Sequence, residues 1–370
     1  VLAQQYALKL GPLFDAIGLT WTLLTGSTSA TQRARSMDAL ASGKTTVCFG
    51  THAILEDDVT FANLTLVIVD EQHRFGVEQR RALHAKGSAP DVLAMSATPI
   101  PRTLALVAYG DLASSYLRTR PVAGAGVSTG LLKHSQAHKA WRDVRAAVAE
   151  GRQAYVVCAL VDESEKIEAE SALRTAERLR AGEFADLRVE VLTGRMKPAD
   201  KEAVMEAFRA GAIDVLVSTT VIEVGVDVAG ATVMVILDAD RYGLAQLHQL
   251  RGRVGRGSVA GQVWLVSDSF SRDAQERFRA LLSTDDGFQL AELDLKQRNA
   301  GDLLGKRQSG LAEFRIADLS RDGQLAEVAR SEAFALIAAN PRLDADLRLA
   351  LLRVRIEALE ARLGDWESGG

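Results

Sequence analysis

The 370-residue sequence is poor in cysteine, in long apolar runs and in excess positive charge, and each shortage narrows the choice of function. Its two cysteines, Cys48 and Cys158, stand alone inside the apolar runs VCFG and YVVCAL. That is the setting of small core hydrophobes and not of a disulfide framework or a Cys-rich metal site. No uncharged run approaches the roughly 18 apolar residues of a membrane span. The amino terminus shows no basic segment followed by an apolar signal core. A cytoplasmic protein with no membrane contact is expected. Lys and Arg number 44 against 48 Asp and Glu, a net charge of -4. Any nucleic acid must therefore be met by a local basic stripe and not by an overall positive field.

What is present is ordinary globular composition, 47% hydrophobic and 25% charged, long enough for two or three cores. Short β-branched runs recur: TWTLL at 20–24, LTLVIVD at 64–70, DVLAMS at 91–96, AYVVCAL at 154–160, DVLVST at 214–219 and TVMVILD at 232–238. Amphipathic stretches such as 137–150 and 198–210 lie between them. The pattern predicts an α/β protein whose strands are parallel, apolar on both faces and covered by helices, with ligands at their carboxyl ends. Four domain segments are expected: a first α/β domain over 1–118, a Gly-rich linker over 119–130, a second α/β domain over 131–270 and a helical region over 271–370.

Two segments carry most of the chemistry. In VIVDEQHRFG an apolar strand ends in Asp70 and Glu71, two adjacent acids that are costly to hold together unless a cation or a catalytic water uses them. One carboxylate can hold Mg²⁺ through water while the next polarises an attacking water, as phosphoryl transfer requires. Ser96-Ala97-Thr98 ends the following strand, where its hydroxyls can bond to the carboxylates of the neighbouring one. In QLRGRVGRG at 249–257, arginines are separated by glycines, which suits bidentate recognition of phosphate by arginine fingers. Ahead of it, Thr219, Thr220, Glu223, Gly225 and Asp227 follow another buried strand, supplying hydroxyls and backbone for a phosphate chain and an acid for a nucleotide.

DEQH, SATPIPRTLAL, the stretch from Leu192 to Glu202, TTVIEVGVDV and QLRGRVGRG occur in the order of helicase motifs II, III, IVa, V and VI. Over nearly its whole length the sequence resembles the RecG helicases of superfamily 2. VLAQQ, LLTGS and GTHAI are similar to motifs Ia, Ib and Ic, and DEQHRFGVEQR, AYGDL at 108–112 and LGKRQSGLAEFRIADL at 304–319 are the more specific pieces. The resemblance implies two RecA-like domains of the P-loop NTPase type, the first incomplete, and a helical translocation hairpin. It implies an ATP-dependent DNA helicase that remodels branched double-stranded DNA in recombination and repair, a monomer with ATP and Mg²⁺ as cofactors and single-stranded DNA-binding protein as a further partner.

On this resemblance Asp70 and Glu71 are the magnesium-holding and water-activating acids, and Gln249, Arg253 and Arg256 address the γ-phosphate. His73, Ser96 and Thr98 couple the nucleotide to the rest, and Gly225 and Asp227 help hold it. Thr51, Arg102, Thr193 and Thr219 fall on the DNA side, with Arg307 and Gln308 in the translocation hairpin. Two departures stand out: LRTRPVAGAGVST follows AYGDL, and Arg298-Asn299-Ala300-Gly301 stands where the family usually shows Arg-Gly-Pro-Gly. Ser42-Gly43-Lys44-Thr45-Thr46 looks like the end of a phosphate loop, but Asp38 occupies the place of the leading glycine and GKTT enters a strand, so it is rejected as Walker A. The sequence is accordingly expected to begin after the wedge domain and Walker A, with Val1 pointing to a truncated chain that is inactive alone. The competing readings are a DNA-binding or degenerate remnant without ATPase activity, and the motor of a transcription-repair coupling factor.

Overall fold

The computed structural model describes residues 2–71, 79, 82–83, 86–96, 113–117, 126–159, 165–223, 228–269, 271–297 and 322–367. Contacts divide the chain into two compact units, one drawn from 1–98 and 121–285, the other from 99–120 and 286–370. Among the described residues no helix is long and apolar enough to cross a membrane.

The first part of the larger unit is built from α1 (Leu2–Ala16), β1 (Trp21–Leu24), α2 (Ala30–Ala41), β2 (Val47–Gly50), β3 (Leu66–Val69) and β4 (Asp91–Ala94). β1 pairs with β2 and β3 with β4, both in parallel. Leu24, Leu40, Ala53 and Val59 form the core beside the first ribbon. Ser29 caps α2 by accepting from the Gln32 N–H, one of the four donors that a helix start leaves open. α2 ends at Ala41 and Gly43 turns the chain with φ +71, after which Thr20 Oγ1 donates to the Lys44 carbonyl and β2 begins. The SGKTT segment is therefore a helix exit leading into a strand, with no helix start to cradle a phosphate.

Burial on both faces, expected of every strand, does not hold here. β3 alternates, with Val67 and Val69 buried while Leu66 and Ile68 are 54% and 56% exposed, and Leu93 of β4 is 50% exposed. The strands have the right residues for double-sided burial, but among the described residues only one of their faces is covered.

The second part is one six-stranded parallel sheet in the order β5-β10-β9-β6-β8-β7. Its strands are β5 (Val127–Leu132), β6 (Gln153–Val157), β7 (Val189–Leu192), β8 (Val215–Ser218), β9 (Ala231–Ile236) and β10 (Gly261–Val266). The helices are α3 (Ala137–Ala149), α4 (Glu165–Ala181), α5 (Pro198–Arg209), α6 (Leu244–Arg251) and α7 (Arg272–Ser283). Every residue of β6, β8 and β9 is buried, as parallel strands covered on both faces require. Alternation sends Ala154 and Val156 into a core with Trp141, Val144 and Phe184. Tyr155, on the opposite face, meets Phe208 of α5 at 5.0 Å between ring centroids. The apolar periodicity of α3 is legible in Ala140, Trp141, Val144 and Ala147, all buried on one stripe.

β5 corrects the expected linker, because residues 127–130 are its first four residues. Its glycine has a packing reason. Gly130 pairs with Trp264 of β10, and a Cβ at Gly130 would run into the Trp264 ring, whose Nε1 donates to Asp143 of α3. Gly130→Val is expected to destabilise the sheet by about 1–3 kcal/mol through overpacking, measured as a lower denaturant midpoint with unchanged slope. α7 differs from expectation too. Its Ala274, Phe278, Ala280 and Leu281 are buried and it packs against β5, so it lies with the second sheet and not with the later helices.

Both thiols sit in apolar surroundings, Cys158 buried and Cys48 partly buried. Burial pushes Cys48 up to about 12 and Cys158 up to about 11. An unfolded thiol ionises near 8.5. The buried neutral form thus stabilises the fold fully below that value, and this contribution is lost as pH rises through about 11. Both cysteines should resist alkylation at pH 8 in the folded chain, and Cys158→Ala should lose less thermal stability than wild type between pH 9 and 11.

The smaller unit holds α8 (Gly287–Gln297), α9 (Gly323–Ala339) and α10 (Leu347–Glu367). No residue of α9 is buried.

Candidate nucleotide and nucleic-acid site

The acid pair stands at the carboxyl end of β3. Asp70 Oδ1 accepts the Glu71 N–H at 2.8 Å and Oδ2 accepts the hydroxyl of Tyr6, from α1, at 2.6 Å. The Tyr6 phenol is pushed up to about 12, by burial first and then by its bond to Asp70 and the charges of Asp70 and Glu71. Glu71 adopts φ +52, a left-handed conformation that costs free energy for a residue with a Cβ and is met at functional turns. The β3–β4 register pairs Val69 with Ala94, and Met95 N–H continues the ladder to the Val69 carbonyl. Ser96 consequently lies as many steps past the last pair as Glu71 does. Thr51 follows β2, where its N–H donates to the Leu24 carbonyl and its side chain makes no capping bond.

In the second sheet Thr193 and Thr219 come together. β7 and β8 are neighbours with Leu192 opposite Ser218, and the Thr219 N–H donates to the Leu192 carbonyl. Thr193 is 5% and Thr219 1% exposed. Among the described residues the Ser218 and Thr219 hydroxyls have no hydrogen-bond partner, a costly state that a ligand or water at this carboxyl edge would relieve.

The arginine turn lies elsewhere. α6 ends at Arg251, and the chain then passes through Gly252, the buried Arg253, Gly255 and the exposed Arg256. Arg256 Nε donates to the Gly252 carbonyl at 2.7 Å, and Gln249 is half-buried on α6. Gly255 has φ +70, and a Cβ there would come within 2.9 Å of the Gly126 carbonyl and the Gly261 N–H. Those backbone atoms belong to the starts of β5 and β10, and Gly257 lies against Ala229 just before β9. The arginines therefore sit at the amino ends of the strands, whereas Asp70, Glu71, Thr193 and Thr219 lie at carboxyl ends. The close approach that the glycines permit is, at Gly255, to the protein's own backbone.

His73, Thr98, Arg102, Gly225, Asp227, Arg307 and Gln308, with the hairpin around 304–319, lie outside the described residues. Two residues with defined roles were not singled out in the sequence. Tyr6 stands in VLAQQY, a helix stripe with nothing to announce a bond to an acid 64 positions away. Arg251 reads as one arginine among three in the glycine-rich turn, yet it is 4% exposed and fully engaged inside the fold.

A parallel β3–β4 pair carrying an acid pair at a strand end, followed by a six-stranded parallel sheet with an arginine turn, has the arrangement of the RecA-like helicase fold. The DEAD/DEAH box helicase family matches residues 1–107, the helicase conserved C-terminal domain residues 138–258, and domain 3, C-terminal, of ATP-dependent DNA helicase RecG residues 284–368. An ATP-dependent DNA helicase RecG from Synechocystis is 44% identical over 355 residues, covering 95% of this chain and 43% of that protein. The Mycobacterium tuberculosis RecG is 48% identical over 327 residues, covering 83% and 44% respectively. Among solved structures, RecG bound to a three-way DNA junction superposes with a TM-score of 0.68 at 40% identity, over 88% of this chain and 42% of that one. The chain belongs to the RecG helicase family, and it spans about half the length of the curated relatives it matches.

Proposed function

We propose that this chain is the motor portion of an ATP-dependent DNA helicase that remodels branched duplex DNA, such as stalled forks and Holliday junctions. The observation that carries the reading is the consecutive match of two helicase halves and a RecG third domain along one chain, with Asp70 and Glu71 at the strand end where phosphoryl-transfer acids belong. Asp70 fits the Mg²⁺ role. Mg²⁺ is usually held by one or two carboxylates together with phosphate oxygens and water, and among the described residues no cluster of three or more metal-ligating side chains offers a protein cage. Mg²⁺ there would draw charge from the β- and γ-phosphates. Glu71 polarises the attacking water, Arg256 approaches the γ-phosphate, and the hydroxyls of Thr193 and Thr219 meet the DNA backbone. That the buried Thr219 hydroxyl has no hydrogen-bond partner among the described residues supports that last role.

The test is ATP hydrolysis with and without a synthetic fork, by this chain and by a chain extended to the length of its relatives. Fork-stimulated turnover in the extended chain supports the reading, whereas a folded extended chain without turnover leaves a DNA-binding remnant. Turnover by the shorter chain would place a phosphate contact at Lys44 after all. In the extended chain, Arg307→Ala and Gln308→Ala are expected to keep part of the ATPase activity while stopping fork regression. Equal loss of both would contradict a translocation role for the hairpin.

A further inference from the structure

The carboxyl half of α1 is fixed to β1 and β2 by contacts of its own. Gly11 lies so close to Trp21 that a Cβ there would come within 2.6 Å of the ring. Trp21 Nε1 donates to Asp15 Oδ1 at 3.0 Å, and the rings of Phe14 and Phe49 stand 5.9 Å apart between centroids. Ala7, Gly11 and Phe14 follow the spacing of one helix face, with Ala7 and Gly11 buried. Tyr6 therefore rides on a helix already anchored further along. Its hydroxyl donates to Asp70 Oδ2 at 2.6 Å, the length of a charge-assisted O–H bond to a carboxylate.

An ionised carboxylate offers about four lone-pair sites. At Asp70 the Tyr6 hydroxyl uses one on Oδ2, and the Glu71 N–H, at 2.8 Å, uses one on Oδ1. The terminal torsion of an aspartate is broad, so a carboxylate held by one donor turns readily about its last bond. Two donors arriving from different elements stop that rotation. The Glu71 N–H belongs to the turn that follows β3, with φ +52 at Glu71, and moves with Asp70. Tyr6 ties the same group to a helix 64 positions away, which gives it a reference outside its own strand.

We propose that Tyr6 is a positioning residue that fixes the rotation of the Asp70 carboxylate and so sets the affinity of this site for Mg²⁺. The proposal deepens the reading of Asp70 as the metal-holding acid and rests on it. Tyr6 acts through Asp70 and touches neither nucleotide nor metal. The lone pairs left over on the two oxygens are the ones available to a metal ion or its water, and their direction is set by the two donors. Hydrogen-bond partners that orient a metal-holding carboxylate commonly change metal affinity by about 10–100-fold when removed. A bond that merely pinned α1 to the end of β3 would, when lost, cost stability and leave the metal dependence as it was.

The test uses a chain of the relatives' length and Tyr6→Phe, which keeps the ring and deletes only the donor. Mn²⁺ binding is followed by electron paramagnetic resonance in the presence of a non-hydrolysable ATP analogue, so that no turnover is needed. The Mg²⁺ dependence of ATP hydrolysis and a thermal melt are measured beside it. Tyr6→Phe is expected to weaken Mn²⁺ binding and to raise the half-saturating Mg²⁺ concentration by about tenfold. At saturating Mg²⁺ the rate should return to within about twofold of wild type, the mark of lost binding and not of lost chemistry. Tyr6→Met, a good helix former without a donor, should show the same shift and replaces the first variant if that fails to fold. Unchanged Mn²⁺ binding in a folded variant would overturn the proposal, as would a rate loss that saturating Mg²⁺ does not restore. A wild-type chain without metal-dependent hydrolysis would instead overturn the motor reading, and the role of Tyr6 with it, so the two failures are distinct.

Discussion

Glu71→Gln is expected to retain nucleotide and fork binding while lowering the hydrolysis rate by about 10³ or more, within the range of lost general-base catalysis. The glutamine is isosteric, so the turn with φ +52 at this position and the Glu71 N–H bond to Asp70 Oδ1 should both survive. What disappears is the only function that requires a negative charge, polarisation of the attacking water. Asp70 keeps its place because Tyr6 and the backbone of Glu71 hold its two oxygens from different sides. Fluorescent-nucleotide titration and single-turnover hydrolysis in a chain of the relatives' length separate the outcomes. Near-normal turnover would remove Glu71 from the chemistry, and loss of binding together with turnover would give it a structural role.

Arg256→Ala should lower the rate by a comparable factor, about 10³, the lower end of what an arginine finger contributes. It is a cleaner probe than Arg253. Arg256 is exposed and its Nε donates to the nearby Gly252 carbonyl, so its removal should hardly change stability. Arg253 is 7% exposed, and its truncation would open a cavity at the sheet edge as well as remove a charge. A rate measurement paired with a thermal melt distinguishes them: Arg256→Ala should lose rate with little change in Tm, and Arg253→Ala should lose both. Arg256→Lys is expected to recover only part of the rate, because an ammonium cannot form the bidentate fork.

All six apolar runs read as strands became strands, and three of them, AYVVCAL, DVLVST and TVMVILD, became strands buried along their whole length. β5, β7 and β10 did not announce themselves. Gly130 interrupts β5, Glu190 breaks β7, and Gln262 and Trp264 give β10 a half-polar face, all of them residues whose suitability depends on a neighbouring strand or helix. Gly130 is explained only by the Trp264 ring that covers it.

By itself the sequence determined the α/β class, the acid pair at the end of β3, the apolar surroundings of Cys48 and Cys158 and the family. Each of these rests on residues adjacent in the chain, where the free energy of burying an apolar run or of ending it in a charge is a local quantity. The tertiary structure decided the rest. It placed the arginine turn at the amino ends of the strands, brought Thr193 beside Thr219, aimed Tyr6 at Asp70 and locked Arg251 onto the end of α7. These pairings join residues from 26 to 64 positions apart, except for the arginine turn, whose position follows from where β5 and β10 begin. A hydrogen bond between distant residues exists only once the sheet order has brought its donor to its acceptor, and sheet order is set by the packing of the whole domain.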